Sequence, residues 1–137
     1  MHTLPRTTWT RRLAVTISAV ASVLGLTVVV TPAADASVYG SCTISRCADA
    51  RSARTTWSSK GYPSTRGWNS WPNGQCNFAG GQFYNREGQL PGGHSYLEFD
   101  VYPRACGAAR DAYRIIVDRT AGTAYFSPNH YTDFYRL

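Results

Sequence analysis

The stretch Tyr96-Leu97-Glu98-Phe99-Asp100-Val101-Tyr102 sets two acidic residues, two positions apart, in an otherwise apolar run. A strand turns successive side chains to opposite faces, so Leu97, Phe99 and Val101 share one side and Glu98 and Asp100 the other. Two further strands are expected from Ala112 to Val117 and from Thr123 to Phe126, joined through Asp118-Arg119-Thr120-Ala121-Gly122. Upstream the period changes. Between Arg46 and Lys60, Cys47, Ala50, Ala53 and Trp57 recur at spacings of three and four, which lines them on one face of a helix. Ser45 is placed to cap its start, and Gly61 followed by Pro63 to stop it. The connecting stretch, Tyr62 to Gly81, is rich in Gly, Pro, Ser and Asn and reads as irregular chain pinned by Trp68 and Trp71. A helix followed by a run of strands predicts an α+β fold, one main helix packed on a twisted antiparallel sheet. The sheet's other face then carries the polar alternates, Glu98 and Arg114 among them, and a site can be built there.

The first 36 residues read as a signal peptide. Arg11 and Arg12 precede an uncharged apolar run from Leu13 to Val30, Thr31-Pro32 breaks it, and Ala34-Asp35-Ala36 supplies a cleavage site. The run just reaches the length of a membrane-spanning helix, but the break and the small residues favour cleavage. What remains, from Ser37 to Leu137, is long enough for one modest core. In that part 11 basic residues stand against 7 acidic ones, a balance of +4, and all but Lys60 of the basic residues are arginine. Arginine is the forked donor suited to phosphate, although so small a net charge is a weak signal by itself. The cysteines, Cys42, Cys47, Cys76 and Cys106, form an even set in a small exported domain and read as two disulfides. The absence of a C-x-x-C pair, and the spacing of His94 and His130, argue against zinc.

Taken singly, the charged residues are unremarkable. Glu98 suits any solvent-facing strand position, and Glu87 lies in a turn-like Asn85-Arg86-Glu87-Gly88. Arg110 and Arg114 flank Asp111, and His130 sits in Ser127-Pro128-Asn129-His130-Tyr131 near the end of the chain.

Their order along the chain is more specific. Phe83-Tyr84-Asn85-Arg86-Glu87-Gly88-Gln89-Leu90-Pro91 resembles the base-recognition loop of the bacterial guanyl-preferring ribonucleases, the group of barnase and the Streptomyces secreted ribonucleases. The likeness continues through the Glu98 strand, Arg110-x-x-x-Arg114-Ile115-Ile116, and the terminal Asn129-His130-Tyr131-Thr132-x-Phe134. It spans residues 80 to 137; the part before it agrees only in plan. The resemblance implies the microbial ribonuclease fold and a metal-free, cofactor-free endoribonuclease that cleaves single-stranded RNA after guanosine. Glu98 would be the general base, His130 the general acid, and Arg110 and Arg114 the stabilisers of phosphoryl charge. Glu87 would read the N1–H and N2 edge of guanine, with backbone N–H groups from Tyr84 to Arg86 on O6 and Asn85 shaping the loop. Phe83 and Tyr131 would bracket the base. A monomer is implied, and relatives of barnase often have an acidic cytosolic inhibitor, so a barstar-like protein is the protein partner to expect.

Some features depart from that pattern. The loop Pro103 to Ala109 contains Cys106, which the family does not explain. His94 has no counterpart and reads as a surface residue. Asp100, beside Glu98 on one face, would raise that carboxylate's pKa unless an arginine opposed it. Four cysteines allow three pairings. If the strand entering the recognition loop pairs antiparallel with the Glu98 strand, Cys76 meets Cys106, and Cys42 is left to Cys47. Two other functions compete: a non-catalytic secreted binding module using its aromatic surface, and a glycoside hydrolase with Glu87 and Glu98 as its carboxylate pair. Neither gives the arginines and His130 a role.

Overall fold

The computed structural model describes residues 37–137; the expected signal peptide, 1–36, lies outside them. The helix α1 (Cys47–Ser59) buries Cys47, Ala50, Ala53 and Trp57, the face given by their spacing. Its start differs from expectation. Ser45 does not cap it; Arg46, in the left-handed region at φ 71°, stands at the N-cap without a side-chain hydrogen bond. The Cys42–Cys47 disulfide fixes this end instead, helped by a 2.8 Å bond from Arg51 to the Cys42 carbonyl. At the other end Gly61, at φ 72°, lets the chain reverse: its N–H reaches the Ser58 carbonyl, and the N–H of Tyr62 reaches that of Trp57. This paired closure satisfies carbonyls that the helix leaves open.

Seven strands form one sheet: β1 (Val38–Tyr39), β2 (Gly67–Ser70), β3 (Cys76–Phe83), β4 (Tyr96–Asp100), β5 (Arg114–Asp118), β6 (Ala124–Ser127) and β7 (Phe134–Arg136). Their order is β1-β7-β6-β5-β4-β3-β2. All neighbours run antiparallel except β1, which lies parallel to β7, so the expected antiparallel sheet is mixed at one edge. The expected strands beginning at Ala112 and Thr123 appear shifted by one or two residues, as β5 and β6.

A larger correction concerns Tyr62 to Gly81. This stretch is not irregular throughout; it supplies β2 and most of β3. Its glycines disguise β3, whose pairing with β4 slips between Ala79 and Gly81 in a β-bulge. A bulge adds one residue to a strand and leaves it unpaired, breaking the alternation by which strands are read.

The helix covers one face of the sheet, where Leu97, Phe99, Val101, Ile115, Val117 and Phe126 meet Trp57. Trp57 also donates its indole N–H to the Asp100 carbonyl at 2.9 Å, tying the helix to β4. On the opposite face Leu90, Tyr96, Ile116, Tyr125 and Phe134 form a second, smaller cluster. Beside it the register sets Glu98 across from Ile116, and Asp100 across from Arg114. The Cys76–Cys106 disulfide joins the start of β3 to the loop after β4, in keeping with their antiparallel pairing, and Cys42–Cys47 closes a short loop at the helix start.

Candidate active site

Glu98 points from the middle of β4 onto the face away from the helix, and it is only 8% exposed. An expected solvent-facing strand residue is therefore buried. Its carboxylate has room because the bulged residue beside it is glycine: a Cβ on Gly80 would lie 1.9 Å from Glu98 Oε1. Around that carboxylate the Tyr131 hydroxyl donates a short hydrogen bond to Oε2. Arg110 Nη2 stands 3.5 Å from Oε1, and Arg66 Nη1 3.7 Å from it. Burial, and then the bond to Glu98, pushes the Tyr131 phenol up to about 12, so it remains a donor across the physiological range.

The carboxylate opens into a cavity of about 580 Å³ whose lining includes Arg66, Phe83, Glu87, Glu98, His130 and Tyr131. The loop carrying Glu87 is held by one side chain. Asn85, left-handed at φ 48°, donates to the Leu90 carbonyl at 2.8 Å and accepts from its N–H at 3.1 Å, while Leu90 is buried below. Glu87 and Tyr84 are exposed on the loop, and the Arg86 guanidinium lies 5.3 Å from the Tyr84 ring. His130, also exposed, is held by its backbone. It and Tyr131 both have positive φ (53° and 72°), conformations that side-chain-bearing residues adopt only when surroundings impose them. Here the His130 N–H bonds the Ala112 carbonyl, the Tyr131 N–H bonds Ser127 Oγ, and Asn129 braces Asp133.

The expected bracket of Phe83 and Tyr131 has a different form. Their ring centroids are 5.2 Å apart and the rings are tilted by 35°, so they touch one another and leave no slot for a base between them. Together they make a single aromatic wall.

The two expected arginines are arranged unequally. Both grip Asp100, which is fully buried, and Arg104 joins them there. Arg110 also packs over Phe78, its guanidinium 4.3 Å from the ring centroid, and reaches Glu98. Burial would lower the Arg110 pKa, but the hydrogen bonds and charge of Asp100, with the charge of Glu98, raise it above the ordinary value. Arg114 is 3% exposed and lies deeper, bonding Asp111, the Tyr113 carbonyl and the Tyr131 hydroxyl. Asp100 is thus a partner of arginines more than a neighbour of Glu98.

His94 is not a plain surface residue. Its Nδ1 lies 2.6 Å from the buried Asp118 carboxylate, and its ring stacks at 6.1 Å on Tyr96. Burial would raise the Asp118 pKa, but His94 and the N–H groups of Ala121 and Thr120 hold it below the usual carboxylate value. Three contributors to the site escaped the sequence reading: Gly80, Arg66 and Arg104. Only the Gly80-Gly81 pair gave a visible signal, a break in the chain just before the loop that begins at Phe83. No three His, Cys, Asp or Glu side chains among the described residues converge as metal ligands would.

A carboxylate and an imidazole facing one cavity, with guanidinium groups against the carboxylate, is the equipment of a phosphodiester-cleaving enzyme. The family model described as ribonuclease matches residues 31–137, and the chain belongs to the ribonuclease family. No curated protein and no solved structure matches it. RNA is accordingly its substrate.

Proposed function

We propose that the chain is a secreted endoribonuclease that cuts single-stranded RNA on the 3′ side of guanosine, within the barnase-like group. The leader of residues 1–36 directs export and is removed, leaving a monomeric domain of residues 37–137. Glu98 takes the proton from the ribose 2′-OH, and the oxygen attacks the adjacent phosphorus. His130 gives a proton to the departing 5′ oxygen. The product is a 2′,3′-cyclic phosphate, which water opens with the two roles exchanged. Because the nucleophile is tethered beside the phosphorus, positioning supplies much of the acceleration.

Arg110, less buried than Arg114 and in contact with Glu98, neutralises phosphoryl oxygens as charge builds on them. Arg114 supports it from behind through Asp100 and orients Tyr131. Arg66 adds a further guanidinium on the solvent side. Glu87 accepts from N1–H and the 2-amino group of guanine, a donor pair that adenine lacks, while the base rests on the wall of Phe83 and Tyr131. An acidic inhibitor protein would find Arg66 and Arg86 in the cavity lining as partners.

The observation that carries this reading is the buried Glu98 carboxylate opening into the cavity that Glu87 and His130 also line. It is tested by incubating the purified domain with RNA in the presence of a chelator and identifying the new ends. Guanosine 2′,3′-cyclic phosphate termini are expected. Ends spread evenly over four bases would remove the guanine assignment, and loss of cleavage in chelator would remove the metal-free mechanism.

A further inference from the structure

Arg104 lies in the loop between β4 and β5 that also contains Cys106. Its Nη1 bonds Asp100 at 2.7 Å and its Nη2 bonds Asp111 at 2.8 Å. On the far side Arg114 Nη1 is 3.2 Å from Asp100 and 3.4 Å from Asp111. The four side chains therefore close a ring in which each carboxylate touches both arginines. Its members are shielded: Asp100 is fully buried, and the side chains of Arg114, Arg104 and Asp111 are 3%, 13% and 33% exposed. Arg110 hangs from this ring, its Nε lying 3.1 Å from both oxygens of Asp100, and from there it reaches Glu98.

The backbone of Arg104 is fixed as firmly as its side chain. It exchanges two 2.8 Å hydrogen bonds with Cys76 at the start of β3, and the Cys76–Cys106 disulfide closes the same corner. A planar guanidinium can bridge two carboxylates with separate nitrogens, which a lysine ammonium at the end of a flexible stem cannot reproduce. Without the bridge the Asp100 carboxylate loses its shortest contact on Oδ2 and can rotate, and Arg110 is aimed by that carboxylate.

We infer that Arg104 is a positioning residue for the reaction: by bridging Asp100 and Asp111 it closes the ion-pair ring that aims Arg110 at the scissile phosphate. This rests on the proposed role of Arg110. It adds a specific dependence, because the Arg104 side chain bonds Asp100, Asp111 and the Tyr102 carbonyl, whereas Arg110 reaches Glu98 itself.

The test compares wild type with Arg104→Ala, Arg104→Lys and Asp111→Asn, each corrected for its folded fraction by circular dichroism. Cleavage of RNA, melting temperature and competitive inhibition by guanosine, which has no phosphate, are measured on all four. For Arg104→Ala we expect kcat to fall about 10- to 100-fold, the range in which small misplacements act, with KM and guanosine inhibition little changed. Lysine restores most of the melting temperature and little of kcat. Asp111→Asn shows the same split to a smaller degree, and decides the matter if Arg104→Ala does not fold. A lower melting temperature with kcat preserved overturns the inference, making Arg104 a structural brace, as does full recovery of kcat by lysine. Wild-type protein that cleaves RNA but is not inhibited by guanosine refutes the guanine reading alone and leaves the kcat comparison intact.

Discussion

Two sides of the same strand are buried by opposite means. On the helix side of β4, Leu97 and Phe99 meet Trp57 and the apolar residues of β5 and β6. On the other side Glu98 and Asp100 are as inaccessible as the apolar pair, yet hydroxyl, guanidinium and backbone groups cover them. The first side gains from removing apolar surface from water. The second bears a desolvation penalty that ion pairs and hydrogen bonds must offset. Substitutions on the first side should therefore act chiefly on stability, and those of the groups facing the cavity chiefly on turnover.

The sharpest separation is expected at the chemical groups. Glu98→Gln or His130→Ala should lower kcat by about 10²–10⁴-fold with the melting temperature close to wild type. Near wild-type turnover in either variant would show that the polar side does not house the chemistry. Phe99→Ala should do the reverse: a loss of about 3–5 kcal/mol in denaturant unfolding, with activity per folded molecule preserved. Gly80→Ala tests whether the polar side depends on space as well as charge. The added methyl must displace the Glu98 carboxylate, so kcat should drop by about 10²-fold, and an unchanged kcat would mean the strand simply shifts.

Asp118 gives a smaller and pH-dependent effect. Asp118→Asn should destabilise the fold by about 2 kcal/mol near neutral pH, through weaker bonds to His94 and the turn N–H groups. Because the folded pKa is lowered, this contribution is present above the ordinary value of 3.8 and is lost as pH falls below it. Unfolding free energies of the two proteins should converge in strong acid. A gap that persists there would assign the effect to packing.

The strictly patterned parts of this fold were readable before the structure, and the parts made by pairing were not. The helix announced itself because Cys47, Ala50, Ala53 and Trp57 obey its period, and β4 did so because its acidic residues alternate with apolar ones. β3 was hidden because both its faces are largely covered and its bulge falls on Gly80. The loop from Phe83 to Pro91 was recognisable as a contiguous motif. Arg66 was not, because only the pairing of β2, β3 and β4 brings it to Glu98. Arg104 and His94 were missed for the same reason: their partners, Asp111, Asp100 and Asp118, are charged residues whose spacing in sequence carries no period. The contact between the Phe83 and Tyr131 rings was out of reach at a finer scale, since order along the chain does not set the gap between two rings.

The loop that presents His130 is tied to the start of the described chain. The Ser37 N–H lies 3.3 Å from Asp133 Oδ1, the Phe134 N–H bonds the Ser37 carbonyl, and Asp133 in turn bonds Asn129, next to His130. In the proposed export route, cutting after Ala36 turns that amide nitrogen into an ammonium group at the same spot. Processing would then replace a neutral donor with a charged one opposite the Asp133 carboxylate, at the foot of the loop that presents His130.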